Sequence, residues 1–183
     1  NNEIDEFTFG AFSEQLAWKK SSVEEMQRRY KREDLTLNER LSFDLWIYQL
    51  QRMQESEQFF YNGLVFDQMN GIQSFVPTFL INFHRVETAD DMRAYIKRIK
   101  AVSPRMQEAI DNASTGATQG VVSQTFALDG TIKQAQSVIS GLPFESNAAN
   151  NSDLWADMLK EIKTLQDSEV IDKTTADQLR SQG

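Results

Sequence analysis

The chain of 183 residues contains no cysteine and only one histidine. Without cysteine it has no disulfide framework, no thiolate nucleophile and no cysteine-ligated zinc. Zinc peptidases place two histidines one helical turn apart with a glutamate beside them, and one histidine cannot make that arrangement. The phosphate-cradling patterns GxGxxG and GxxxxGK[ST] are absent, and no nucleophile elbow accompanies the many serines. Three prolines and eight glycines exclude collagen-like or low-complexity character. No apolar run reaches the ~18 residues of a membrane span, and none of the segments has the form of a signal peptide. Positive charge is also scarce: 19 basic against 27 acidic residues give a net charge of −8. Duplex binding relies on Lys and Arg displacing counterions from phosphates, so this balance argues against a nucleic-acid partner. The basic pairs Lys19-Lys20 and Arg28-Arg29 read as solvated helix faces.

Helix signals fill the chain, and its length suits one domain or two small lobes. Ser22 followed by Glu25, and Thr36 followed by Glu39, both fit the capping box. The second precedes the longest helix candidate, Leu37 to Tyr61. In it Leu37, Leu41, Leu45 and Tyr48 form one apolar stripe, while Phe43, Trp46, Ile47 and Leu50 form another, so a helix covered on two sides is expected. Pro77 fits the first turn of a further helix carrying Phe79, Leu80 and Phe83. Thr88 is placed to cap a helix with Met92, Tyr95, Ile96, Ile99 and Val102 inward, and Ser103-Pro104 is expected to end it and open the next. Val121 to Ile139 reads as helical despite Gly130, which costs ~1 kcal/mol relative to alanine. Gly141 to Asn151 has the turn chemistry of an exposed loop, Ser152 is placed to cap the following helix, and Thr174 a last short one. Only Gly63 to Phe66 suggests a strand. The expectation is an all-α, irregular multi-helix bundle, with 1–140 as its main region, 141–151 a loop and 152–183 a C-terminal helical segment that packs on the main region or leads away from it.

No catalytic constellation stands out. The carboxylate pairs Glu24-Glu25 and Asp90-Asp91 lie at expected helix starts, where the macrodipole favours negative charge. Asp67, Asn70 and Gln73 carry oxygen ligands but lack EF-hand spacing. His84 stands at a loop-to-helix junction, either as a hydrogen-bonded fixture or as the wall of a substrate pocket. Phe59, Phe60, Tyr61, Phe66, Phe75, Phe79 and Phe83 fit either a core or a ligand-stacking surface.

Three ordered segments, LTLNERLSFDLWIYQLQRMQE, FDQMNGIQSFVPTFLINFH and TADDMRAYIKRIKAVSPRMQEAI, resemble the N-terminal part of the bacterial family called domain of unknown function 885. The likeness is strongest over Leu35 to Pro143. Asp67 stands where that family often has Asn, and Arg85 replaces the proline after His84. The resemblance implies a largely helical protein considerably longer than this chain. Its later half carries a His-Glu-x-x-x-Gly-His-His type motif similar to those of zinc-dependent peptidases. It further implies export to the cell envelope or periplasm, often as a lipoprotein whose anchoring cysteine would precede Asn1, and the polar start NNEIDEF suits a mature or trimmed terminus.

On that reading the chain is the N-terminal helical region of a zinc-dependent hydrolase acting on peptides. It holds no catalytic residue or cofactor itself, and zinc belongs to the intact protein. Its partner would be the C-terminal catalytic half, with Gln68, Asn70, Gln73 and His84 lining one wall of the substrate cleft. An apolar surface left by that half implies self-association of the fragment. The alternative is a non-enzymatic helical binding module of the envelope.

Overall fold

The computed structural model describes residues 3–183. The described residues form an all-α fold of seven α-helices and no β-strand. The chain divides into two compact units.

The smaller unit, Glu6–Gly63, is a helical hairpin of α1 (Phe9–Arg29) and α2 (Leu37–Ser56). Thr8 caps α1 by accepting from the Ala11 N–H, so Ser22 lies inside α1 and starts nothing. Its hydroxyl accepts instead from the Trp46 indole at 3.1 Å. The capping box of Thr36 and Glu39 does open α2. Arg32 grips Asp44 through two hydrogen bonds of 2.7 and 2.6 Å, fixing the turn between the helices. After α2 the backbone tightens into a 3-10 helix, Glu57–Asn62, which brings Phe60 and Tyr61 onto Phe9 and Phe12.

Of the two apolar stripes on α2, one faces α1. Phe43 and Leu50 are buried, and Trp46 and Ile47 half-buried. The other is open: Leu37 is 82% exposed, Leu41 60%, Leu45 48% and Tyr48 54%. At 100° per residue the two stripes point to roughly opposite sides of the helix, so one neighbouring helix covers only one of them.

Lys19 is unusual in this hairpin because it is buried without a carboxylate among the described residues. Its ammonium donates to Gln49 Oε1 at 2.6 Å and sits 2.9 Å from the centre of the Trp46 ring. Burial lowers its pKa. An amide and a π face compensate a buried charge incompletely. Methionine has similar length and favourable sulfur–aromatic contacts. Lys19→Met is therefore expected to leave the urea unfolding midpoint unchanged or raise it; a clear fall would show that the ammonium is a net stabiliser.

The larger unit, Leu64–Gly183 with Glu3 to Asp5, holds the other five helices. These are α3 (Ile72–Phe83), α4 (Ala89–Thr118), α5 (Thr125–Val138), α6 (Asp153–Asp167) and α7 (Lys173–Gln182). Helix α3 packs on α4, α5 and α6, and α4 and α6 both pack on α7. Leu80, Met92, Tyr95, Met158, Ile162 and Leu179 are the largest fully buried side chains. Burying each aliphatic one is worth roughly 1.5–3 kcal/mol.

Several local expectations change here. Pro77 is the sixth residue of α3, not a first-turn residue, because Gly71 is the N-cap. Helix α4 runs for 30 residues straight through Pro104. Proline there removes one backbone bond, but Met92, Tyr95, Ile96, Ala109 and Gly116 are buried on both sides of it, and that continuous burial keeps the helix whole. The C-terminal helix is capped by Asp172, which accepts from Thr175 N at 2.7 Å, so Thr174 lies inside it. The stretch Gly63 to Phe66 forms no strand. The loop at 141–151 is present, and α6 beyond it packs on α3 and α4; the boundary between the two compact units falls at Gly63.

Candidate functional site

Two polar clusters stand at opposite ends of α3. The first is the loop that enters it. Asp67 accepts the Met69 and Asn70 N–H groups on Oδ1 at 2.6 and 2.7 Å, the side-chain mimic of a backbone turn. Ile72 N–H returns to Val65 O at 3.3 Å. Gln73, only 3% exposed, donates through Nε2 to Asp67 O and to Gln134 Oε1, both at 2.7 Å. Gln134 of α5 then donates to Gln68 O at 3.0 Å, and Ser123 Oγ to Phe66 O at 3.4 Å. The turn leaves no space over Gly71: a Cβ there would lie 2.2 Å from Gln73 Oε1 and 2.4 Å from Asp67 O. Gly130 in α5 has a related role, since the Gln68 side chain crosses it 3.0 Å from where a Cβ would stand. This packing accounts for a glycine inside a helix.

The second cluster surrounds His84, the C-cap of α3. Its backbone N–H donates to Phe79 O at 3.1 Å. The imidazole Nε2 lies 3.1 Å from Asp91 O, while Nδ1 receives the Arg98 guanidinium. Guanidinium has no acceptor, so Nδ1 carries the lone pair and Nε2 the hydrogen, which it donates to Asp91 O. Asp91 also holds the N-terminus of α4 together: Oδ2 accepts from Thr88 N at 2.9 Å and from Thr88 Oγ1 at 2.8 Å. Those bonds keep its carboxyl below the usual carboxylate range. The His84 ring stands edge-on to Tyr95 at 5.3 Å. Tyr95 is fully buried, and its hydroxyl donates to Asp157 Oδ2 of α6 at 2.9 Å. Burial raises the pKa of both Tyr95 and Asp157, with Glu161 adding to the shift of Asp157.

Of the residues picked out by sequence, Gln68 and Asn70 lie at the surface of the first loop. Gln73 shares the loop but faces inward, as a buried strut and not as wall surface. His84 belongs to the other cluster. It stands eleven positions along the chain from Gln73, about 16 Å at 1.5 Å per residue, so the four do not surround one small group. Sequence reading missed Gln134, Arg98 and Asp157, which complete the two clusters from other helices. The only local signal was the spacing of Tyr95 and Arg98, one turn apart on the face of α4 that meets His84.

The aromatic set splits. Phe60 and Tyr61 pack against Phe9 and Phe12, whereas Phe59, Phe75 and Phe83 are 55%, 60% and 70% exposed. In the smaller unit, a groove of about 660 Å3 is lined by Met26, Tyr30, Leu35, Phe43 and Trp46, with Ser22, Asn38, Glu39 and Ser42 as its polar part. Among the described residues no group of three or more His, Asp or Glu is arranged to hold a metal ion, and no helix is long and apolar enough to cross a membrane.

The family described as bacterial protein of unknown function (DUF885) matches residues 1–182. The chain belongs to that family. The DUF885 match takes in both units, including α1, α6 and α7, which lie outside the three resembling segments. No curated protein and no solved structure matches the chain. The loop before α3 and the His84 junction are thus features of a DUF885 region.

Proposed function

We propose that the chain is a helical, non-catalytic region of a zinc-dependent hydrolase of the bacterial cell envelope, held in the periplasm or by a lipid anchor. In this reading the loop before α3 forms part of a cleft wall that receives a peptide. The observation that carries it is the contrast within that loop. Asp67, Gly71, Gln73 and Gln134 fix the backbone, while the Gln68 and Asn70 side chains stand at the surface. Sites need groups held by a rigid support, and an amide both donates and accepts, as a peptide backbone requires. Zinc would be held by another segment of the intact protein. The one imidazole here has Arg98 on its free lone pair and Asp91 O on its N–H, which does not fit a metal ligand.

The test uses the product of the intact reading frame, assayed for zinc content and peptide hydrolysis. Asn70→Ala and Gln68→Ala are expected to raise KM about two- to tenfold with kcat little changed, the signature of one lost binding hydrogen bond. The Asn70 side chain does not share the packing of Gln68 over Gly130, so Asn70→Ala should also leave the unfolding temperature little changed. Absence of peptidase activity, or an unmoved KM in both variants, would overturn the reading.

The second reading, a non-enzymatic interaction module, draws on the open stripe Leu37, Leu41, Leu45 and Tyr48 of α2. A contiguous exposed apolar stripe marks surfaces that bind other protein. An intact reading frame without a zinc motif would favour it.

A further inference from the structure

The single histidine of the chain stands at the end of α3 and makes both of its ring hydrogen bonds to α4. The Nε2–H tautomer of neutral imidazole satisfies both contacts, donating to Asp91 O and accepting from Arg98 at Nδ1. A proton on Nδ1 removes that acceptor and sets a cation against the guanidinium. We infer that the α3–α4 junction is a pH-sensitive latch, closed by neutral His84 and released when His84 takes up a proton.

The surroundings favour the closed form. From α4, His84 meets Asp91, Tyr95 and Arg98. Behind Tyr95 stands Asp157 of α6, with Lys160 3.9 Å from its carboxyl and Glu161 nearby. The adjoining linker carries the exposed pair of Arg85 and Glu87. Burial lowers the His84 pKa most; the Asp91 carbonyl opposes this, and the Arg98 charge reinforces it against Asp91's. A histidine whose folded pKa lies below its unfolded one leaves stability intact above the unfolded value, near 6.5. Stability then falls as pH drops towards the folded pKa. Asp157 has the opposite sign, since its raised pKa makes the folded state gain from acid over its own range. A loss beginning just below the ordinary histidine pKa therefore belongs to His84. The elements set free would be the last turn of α3, closed by His84 N–H on Phe79 O, and the Phe79 ring on which Arg98 rests at 5.8 Å.

One histidine makes the experiment direct, because a nitrogen-15 spectrum of the full chain has one imidazole to assign. The expected result is an Nε2–H tautomer at neutral pH and a midpoint shifted below that of a histidine peptide. The protection of amides at the end of α3, taken relative to the intrinsic exchange rate at each pH, should fall as pH drops from the ordinary histidine value towards that midpoint. His84→Gln keeps a donor and an acceptor but does not titrate, so it should abolish that loss of protection. An Nδ1–H tautomer, an unshifted midpoint, or exchange that ignores the midpoint would overturn the latch, and so would an unchanged response in a folded His84→Gln variant. If that variant fails to fold, the titration and exchange of the unaltered chain still decide.

Discussion

Gly71→Ala is expected to destabilise the larger unit by about 3 kcal/mol, the upper part of the range for overpacking a filled site. The cost is steric. Gly71 has φ −63° and ψ 148°, which alanine adopts without strain. A Cβ at this position would stand 2.2 Å from Gln73 Oε1, 2.4 Å from Asp67 O and 2.6 Å from Asp67 N. Gln73 cannot swing away without dropping its bonds to Asp67 O and Gln134, and two of the three obstructing atoms are backbone. Gly63→Ala is the internal control, since a Cβ there meets nothing within 4 Å. Its effect should be within about 0.5 kcal/mol of zero or slightly stabilising, through reduced freedom of the unfolded chain. Urea unfolding of the two variants separates the explanations. Equal effects would mean that the loop before α3 is loosely held, and the rigid wall argued for Gln68 and Asn70 would lose its support.

What was legible in the sequence follows the range of each interaction. The capping box of Thr36 with Glu39 closes over three residues and formed where the pattern placed it; Thr88 caps α4 as expected, and Asp91 completes a box there that the sequence analysis did not name. The same pattern at Ser22 and Glu25 did not start a helix, because Thr8 had already opened α1 and Ser22 faces Trp46. By sequence alone Pro104 marks a helix end, because proline is a local breaker. Burial on both sides of it, a tertiary effect, decided otherwise. The loop before α3 was visible as a cluster of amides around a glycine, but its partner Gln134 lies 61 residues from Gln73, and nothing local announces such a pairing. His84 could be placed at a junction from its neighbours alone. Its tautomer could not, because that depends on Arg98 arriving from the next helix. The open stripe of α2 shows the same limit: periodicity revealed two apolar faces, and only packing showed that one of them is uncovered.

Tyr95→Phe is expected to cost about 2 kcal/mol, within the range for leaving a buried acceptor unsatisfied. The ring itself stays, so the loss is not one of packing. The Tyr95 hydroxyl is the group that donates to Asp157 Oδ2 at 2.9 Å, and the Asp157 side chain is only 10% exposed. Lys160 is 3.9 Å away and 72% exposed, too solvated to replace that bond. The pH dependence supplies a second readout. Burial already raises the Asp157 pKa, and the hydrogen bond from Tyr95 holds it down. Its removal should raise the pKa further, so the folded variant prefers the neutral carboxyl more strongly. The variant should therefore recover part of its lost stability as pH falls towards the raised Asp157 pKa, over which a folded state with the higher pKa gains. Adding Asp157→Asn should make stability independent of that titration and shrink the cost of Tyr95→Phe, because the buried charge is gone. Tyr95→Ala also empties a fully buried site and should cost about 3–5 kcal/mol. A Tyr95→Phe variant as stable as the parent, with an unchanged acid profile, would show that the hydroxyl does not pin α4 to α6. The wall of buried groups behind His84 would then rest on packing alone.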